Sequence, residues 1–377
     1  MSASIRRHGV AGTVVLASTL VLSSVATAQG EDDGSRHPSV RIGSMLRLEM
    51  LARLQLDARL RSEEPASEEQ GWDVARKRVG MRGRVGRVVA FELEGELEGD
   101  SPWRDAYVEY RQFRLVRARA GRFKVPFNRD QHTSSTNLTF IDRSLAAEQL
   151  APRRDTGVMV HGRVWGGRLR YESGVFAEDG TLALRVSGVP LAGSRSPWSR
   201  LSTALAVVSS TGEERLVESV WINGPRQRAG LELRWEPGAF ALTTEYTRAT
   251  DARRRQSVEG EDLRPLVRAG WYVSGVWKLR QPLGVRHTRM ELAARIEGLR
   301  AGDRALSPLT PAADTFGPRA EVVAGRQEHA LTIGANWLFI PWVKLQLNAV
   351  RHTGRVSAAP ERSDGRWNPV LRLQLTL

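Results

Sequence analysis

From Leu46 the chain alternates. Leu46, Leu48, Met50, Ala52, Leu54, Leu56, Ala58 and Leu60 face Arg47, Glu49, Arg53, Gln55, Asp57, Arg59 and Arg61, with Leu51 the only break in the pattern. A period of two over this length describes a strand with one wet face, although the Leu, Ala and Arg content alone would allow a helix. The pattern returns in Phe91, Leu93, Gly95 and Leu97 against Glu92, Glu94, Glu96 and Glu98. Leu231, Leu233 and Trp235 turn at Pro237-Gly238 and come back through Phe240, Leu242, Thr244 and Tyr246, the signature of two strands joined tightly. Leu331 to Phe339 turns at Ile340-Pro341 and returns through Val343 to Ala349, and Leu371 to Leu377 closes the chain.

Long connections (61–72, 126–156, 250–267, 298–328, 353–366) alternate with tight ones near Gly86, 112–114, Gly166-Gly167, Pro237-Gly238, Gln281-Gly284 and Ile340-Pro341. Short turns on one side and long loops on the other mark an outer-membrane barrel. The expected fold is therefore all-β, a transmembrane antiparallel β-barrel of about 16 strands. Residues 180–225 are the weakly patterned part of that count. Tryptophans at strand ends, such as Trp103, Trp165, Trp277 and Trp367, suit an aromatic girdle, whereas a soluble β protein would place them in its core.

Arg6 and Arg7, an apolar run from Val10 to Val25 and Ala26-Thr27-Ala28 form a cleavable secretory signal by their order. The expected organisation is signal peptide 1–28, polar leader 29–45 and barrel 46–377. Mean hydropathy is −0.35 and there is no cysteine, so neither disulfides nor thiolate metal sites are available. Formal net charge is +14, and only Lys77, Lys124, Lys278 and Lys344 among 56 basic residues are not arginine. The planar guanidinium suits oxyanions, and a proteome-wide preference for arginine is the alternative.

Four blocks in order, Gly-Arg-Phe-Lys-Val-Pro-Phe at 121–127, Thr-Ser-Ser at 133–135, Phe140 to Leu145 and Ala-Pro-Arg-Arg-Asp-Thr-Gly-Val at 151–158, resemble the phosphate-selective porin O and P family. LQLDA at 54–58 and the hairpins containing Trp235, Trp277 and Trp337 resemble the rest of it. The resemblance implies a sixteen-stranded outer-membrane barrel, usually a homotrimer, passing inorganic phosphate or other small anions. The 126–156 segment becomes the third external loop, which in porins folds into the pore. Lys124 and Arg143 are the leading anion-binding and constriction candidates, followed by Arg153, Arg154 and Arg129. Arg153 and Arg154 could instead pair with Asp155.

A ladder of strand arginines is a second candidate: Arg47, Arg53, Arg59, Arg84, Arg163, Arg168, Arg170 and Arg234 point into the lumen if the apolar parity faces lipid. Arg117 and Arg119 share the parity of Leu115 and Phe123, so either a bulge intervenes or that assignment fails. Glu92, Glu94, Glu96 and Glu98 also face inward and balance part of the field. The histidines sit in no nucleophile elbow or metal-binding spacing, so no catalytic residue, metal or cofactor is expected. A pI near 11 also fits nucleic-acid binding, yet the charge alternates with apolar positions along the whole chain and the signal exports it. A general, weakly selective porin and a secreted adhesive β protein remain the alternatives.

Overall fold

The computed structural model describes residues 38–59, 71–98, 103–217, 220–254, 262–280, 288–302, 326–356 and 365–377. The expected signal segment 1–28 and the first part of the leader lie outside them. In chain order the strands are β1 (Ser39–Ile42), β2 (Leu46–Arg59), β3 (Gly71–Val85), β4 (Val89–Glu96), β5 (Trp103–Tyr110), β6 (Arg117–Lys124), β7 (Arg154–Val164), β8 (Leu169–Phe176) and β9 (Thr181–Gly188). They continue as β10 (Leu201–Val217), β11 (Val220–Trp235), β12 (Phe240–Arg254), β13 (Asp262–Arg280), β14 (Arg289–Ala301), β15 (Arg326–Ile340), β16 (Val343–Val356) and β17 (Trp367–Thr376). Every strand from β2 onward pairs antiparallel with the next, and β17 returns to β2, closing sixteen strands into a barrel.

Closure is shared between the two ends of the chain. β17 covers the β2 edge from Arg59 to Arg53, Leu377 exchanges two backbone hydrogen bonds with Ala52, and Pro38 accepts from the Met50 amide. β1 then pairs Ser39 with Glu49 through Ile42 with Leu46. Residues 39–42, expected in the leader, thus belong to the wall, because the β2 backbone beyond Leu377 needs partners of its own.

The two faces follow the sequence pattern. Outward positions carry exposed apolar side chains, with Leu205 64% and its pair-mate Leu231 42% exposed. A contiguous apolar surface around a closed sheet is a lipid-facing band. Trp165, Trp198, Trp277 and Trp342 near the short connections, and Trp72, Trp103 and Trp367 at the other end, stand exposed at its borders. Inward positions are polar and buried: Glu49, Gln55 and Asp57 on β2, Glu94 on β4, Gln346 and Asn348 on β16.

One expected connection changes, and the weakly patterned part of the chain finds its explanation. The connection expected at 250–267 shrinks, since β12 runs to Arg254 and β13 starts at Asp262. Residues 189–200 form a longer connection at the end where the turns are short. Weak patterning in 180–225 has a cause: Ala183, Ala206 and Val208 face inward beneath a cluster containing Phe123, Phe127 and Phe176. Both faces of β9 and β10 are then apolar and alternation fades. The same cluster settles β6, where Arg119 and Phe123 both face inward while Ala118 and Ala120 face out, with unbroken register to β5 and β7.

Deleting residues 39–42 strips the β2 edge of its partner. The barrel is expected to lose about 1 kcal/mol per backbone hydrogen bond withdrawn, read as a lower temperature at which the compact, unheated gel band converts to the slower unfolded one.

Candidate functional site: a basic cavity beside the 125–153 segment

The segment between β6 and β7 has little regular structure, so its backbone must find partners elsewhere. Two short helices organise it: α1 (Arg129–His132), capped by Asn128 accepting from the Gln131 amide, and α2 (Leu145–Gln149), capped by Ser144 accepting from Ala147. Asp130 Oδ2 accepts from the Ser144 amide at 2.7 Å and ties the two together. Gly121, just before the segment, has φ +125°, and a Cβ there would lie 2.2 Å from the Ala106 carbonyl oxygen, so the position requires glycine.

Apolar side chains seat the segment on small residues of the wall. Phe127 is fully buried and lies over Gly230, where a Cβ would come within 3.3 Å of its ring. Phe140 packs on Ala241, Val276 and Ala293, with the Arg295 guanidinium 4.7 Å from the ring centroid. Leu150 packs on Ala249 and Leu299.

Wall side chains satisfy the loop backbone. Lys344 Nζ donates to Leu138 O at 2.6 Å, Gln346 Nε2 to Leu138 O and Thr139 O, and Asn336 Nδ2 to Thr139 O at 2.9 Å. Asn348 Oδ1 accepts from the Ile141 amide, Arg372 Nη1 donates to Ile141 O, and Gln374 Nε2 donates to Thr136 O. Glu245 and Glu297 accept the amides of Asp130 and Leu145 at 3.0 and 2.6 Å. These holders were missed in the sequence. Their signal was a neutral amide at the polar parity of a strand, as in Gln346, Asn348 and Gln374.

A cavity of about 1090 Å³ remains, lined by β2 to β6, by residues 131–135 and 143–154 of the loop, and by inward side chains of β7 to β11 and β13 such as Glu172, Val208, Arg226 and Arg268. Its lining holds fifteen basic and ten acidic residues. Lys124, Arg143 and Arg154 come together here with Arg53. All three donors of Lys124 go to loop carbonyls, Gln131 O at 2.8, His132 O at 3.1 and Thr133 O at 3.0 Å, so its first role is to pin the loop. Arg154 forms a two-pronged pair with Asp105, at 2.7 Å from Nη2, rather than with Asp155, whose carboxylate accepts the Thr156 and Glu178 amides. Arg153 sits at the exposed rim beside Glu148. Arg129 is not on the cavity; it lies within electrostatic reach of Arg234, Glu232 and Glu245.

Arg143 differs from these. Nη2 donates to Thr133 O at 2.8 Å, while Nη1 is buried and has no protein partner. Burial holds its guanidinium below the usual arginine range, with Asp130 and Glu148 opposing that and Arg154 and Arg78 adding to it. Arg76 and Arg78 on β3 also line the cavity, Arg76 within reach of Arg143 and held by Gln55 Oε1 at 2.6 Å. Neither was among the candidates, although 76, 78, 82 and 84 share one parity.

The arginine ladder is largely neutralised. Arg53 meets Glu94 at 3.2 Å and the Ser135 hydroxyl at 3.0 Å; Arg47 meets Glu49; Arg59 meets Asp142 at 3.5 Å; Arg170 meets Glu172 at 2.7 Å; and Arg234 meets Glu236. Arg78 bridges Glu94 and Glu96, and Arg185 bridges Glu172 and Glu232. Arg84 and Arg163 are exposed strand residues near the short connections, and Arg168 occupies the turn between β7 and β8. Among the described residues no group of His, Asp and Glu could hold a metal ion.

A closed sixteen-stranded sheet with an apolar outer band and a charged interior defines a transmembrane porin. The model of the family Phosphate-selective porin O and P matches residues 48–194 and 208–377, and the chain belongs to that family. It is thus an outer-membrane β-barrel porin. Solved structures share the fold at low identity. The outer-membrane expressed OmpT of Vibrio cholerae superposes with TM-score 0.60 at 11% identity, covering 90% of this chain and 100% of that one. An in-vitro folded OmpT of V. cholerae, in trimer form, gives 0.59 at 11% (88% and 100%), and the anion-selective porin from Comamonas acidovorans 0.57 at 12% (88% and 100%). Comparison with curated proteins gave no match.

Two predictions follow from how the loop is held. Phe127→Ala empties a fully buried site and is expected to cost about 3–5 kcal/mol, measured as a lower urea midpoint of the refolded barrel. The second concerns His132, whose Nε2 is buried without a partner and whose pKa burial pushes down to about 4. The unfolded imidazole takes a proton near 6.5, so this contribution to stability is complete above about pH 6.5 and is lost as pH falls toward 4. Urea titrations of wild type are expected to weaken through that window more than those of His132→Phe.

Proposed function

We propose that this porin supports passive diffusion of anions, phosphate or another oxyanion, with the 126–156 loop folded into the lumen as its constriction. Solute passes between that loop and the wall strands that line the cavity, with β3 to β6 opposite Arg143. The observation that carries the reading is the Arg143 guanidinium, fixed through one nitrogen while the other is unpartnered, beside Arg76 and Arg78 on a cavity whose lining is net positive. A planar donor fork in a confined, partly desolvated passage attracts an oxyanion, repels cations and still releases its ligand because neighbouring carboxylates moderate the field. The family name and the anion-selective Comamonas porin support the choice of anion. Homotrimeric assembly belongs to the same reading, given the trimer form of V. cholerae OmpT.

A general, weakly selective porin is the second reading, favoured by the pairing of most ladder arginines with carboxylates. Reversal potential of the refolded protein in planar bilayers under a KCl gradient, followed by phosphate titration, separates the two. The expected result is anion-selective current blocked by phosphate, with the block about tenfold weaker in Arg143→Ala, equivalent to about 1.4 kcal/mol. Anion current indifferent to phosphate favours the general porin, and no current from a folded barrel defeats both.

A further inference from the structure

Arg248 and Arg300 stand on the outer surface where the lipid-facing pattern calls for apolar or aromatic side chains. Arg248 on β12 is exposed between Thr247 and Ala249, both fully buried, so it points outward. Arg300 on β14 is likewise exposed between the buried Leu299 and Ala301. Both are register partners of one small residue, Ala269 on the strand between them. Two strand spacings set the arginine backbones roughly 10 Å apart, with the Ala269 methyl as the floor of the notch.

The level of this row in the membrane can be read from the aromatics. On β12 and β13 the outward pair Phe240 and Trp277 lies near the short connections, and the outward pair Tyr246 and Trp271 lies six residues further along each strand. At roughly 3.3 Å per residue the two rows stand about 20 Å apart along strands that tilt by roughly 35–45°, so about 15 Å of an apolar band roughly 25 Å tall separates them. Arg248 and Arg300 are one outward position beyond Tyr246 and Trp271, toward the long-connection end. From that level, about 20 Å in height above the lower aromatic row, the long arginine side chains extend outward to the headgroups.

Among the described residues neither arginine has an ion pair or hydrogen bond, and the outward positions beside them hold Ala229, Ala269 and Gln327 rather than a carboxylate. Two cations on a poorly solvated face favour an anion that the membrane itself supplies. We propose that Arg248 and Arg300 form a docking site for the phosphate of a phosphorylated lipid headgroup in the outer leaflet, with Ala269 as floor and the Tyr246 and Trp271 rings as a shelf for the first acyl carbons. Guanidinium forks bind phosphate bidentately, which an apolar contact with a second protein copy would not need. The inference rests on the long connections facing outward and is independent of what the pore conducts.

The test uses the full-length refolded barrel in detergent, titrated with a bis-phosphorylated diglucosamine glycolipid or its dephosphorylated form, with bound lipid counted by native mass spectrometry. Expected are preferential retention of the phosphorylated lipid and at least a tenfold loss of that preference in Arg248→Gln/Arg300→Gln. Pore conductance and the heat-shifted gel band should be unchanged, since both side chains point away from the lumen. Equal retention of the two lipids by wild type, or an unchanged preference in the double variant, overturns the proposal. Loss of oligomer in lipid-free detergent on making the double variant, with lipid retention intact, also overturns it by assigning the face to a second copy of the chain.

Discussion

A sheet placed in lipid cannot leave backbone donors and acceptors open, and everything else in this molecule depends on meeting that requirement. β2 is where it is met. One edge pairs with β3 and the other is shared between β17 and, beyond Leu377, the short β1. Once the sheet closes, each strand has a lipid face and a lumen face with nothing between them, and a one-residue slip would move the inward arginines of a strand onto the lipid face. The period-two pattern is therefore a register device as much as a solubility pattern.

Closure also concentrates charge inside. Arginines and carboxylates on neighbouring strands alternate at matching inward levels, as Arg53, Glu94, Arg78 and Glu96 do across β2, β3 and β4. Such pairs offset the cost of desolvating each partner more than they add net stability. Their consequence for function is subtraction: a high count of arginine becomes a small number of cations with donors to spare. Arg143 is one because it sits on the loop, where no strand partner lies opposite it.

The loop is held by a different chemistry on each side. Aromatic and aliphatic side chains sit over alanine and glycine on β8 to β14, while amides, Lys344 and Arg372 on the strands around the β17 to β2 seam take up its backbone groups. The space left open as the cavity runs along β3 to β6 and continues past inward side chains of β8 to β11. Apolar residues at inward positions of β9 and β10 serve the docking of Phe127, which explains why the strands there read poorly in the sequence.

Strand identity, the two faces, the number of strands and the position of the third long connection were all legible from the chain, because a period of two is local and a strand declares its faces within a few residues. Lys124, Arg143 and Arg154 were legible as a basic group around one loop. Their roles were not. Whether Lys124 serves an anion or three carbonyls, whether Arg154 meets Asp155 next to it or Asp105 across the sheet, and whether Arg76 joins the group depend on contacts between residues far apart in the chain. β1 was hidden for the same reason: four residues show too little alternation to announce a strand, and its need arises only where β17 runs out. Local pattern decides which face a side chain takes, and only the closed barrel, by fixing register and docking the loop, decides which partner it finds there.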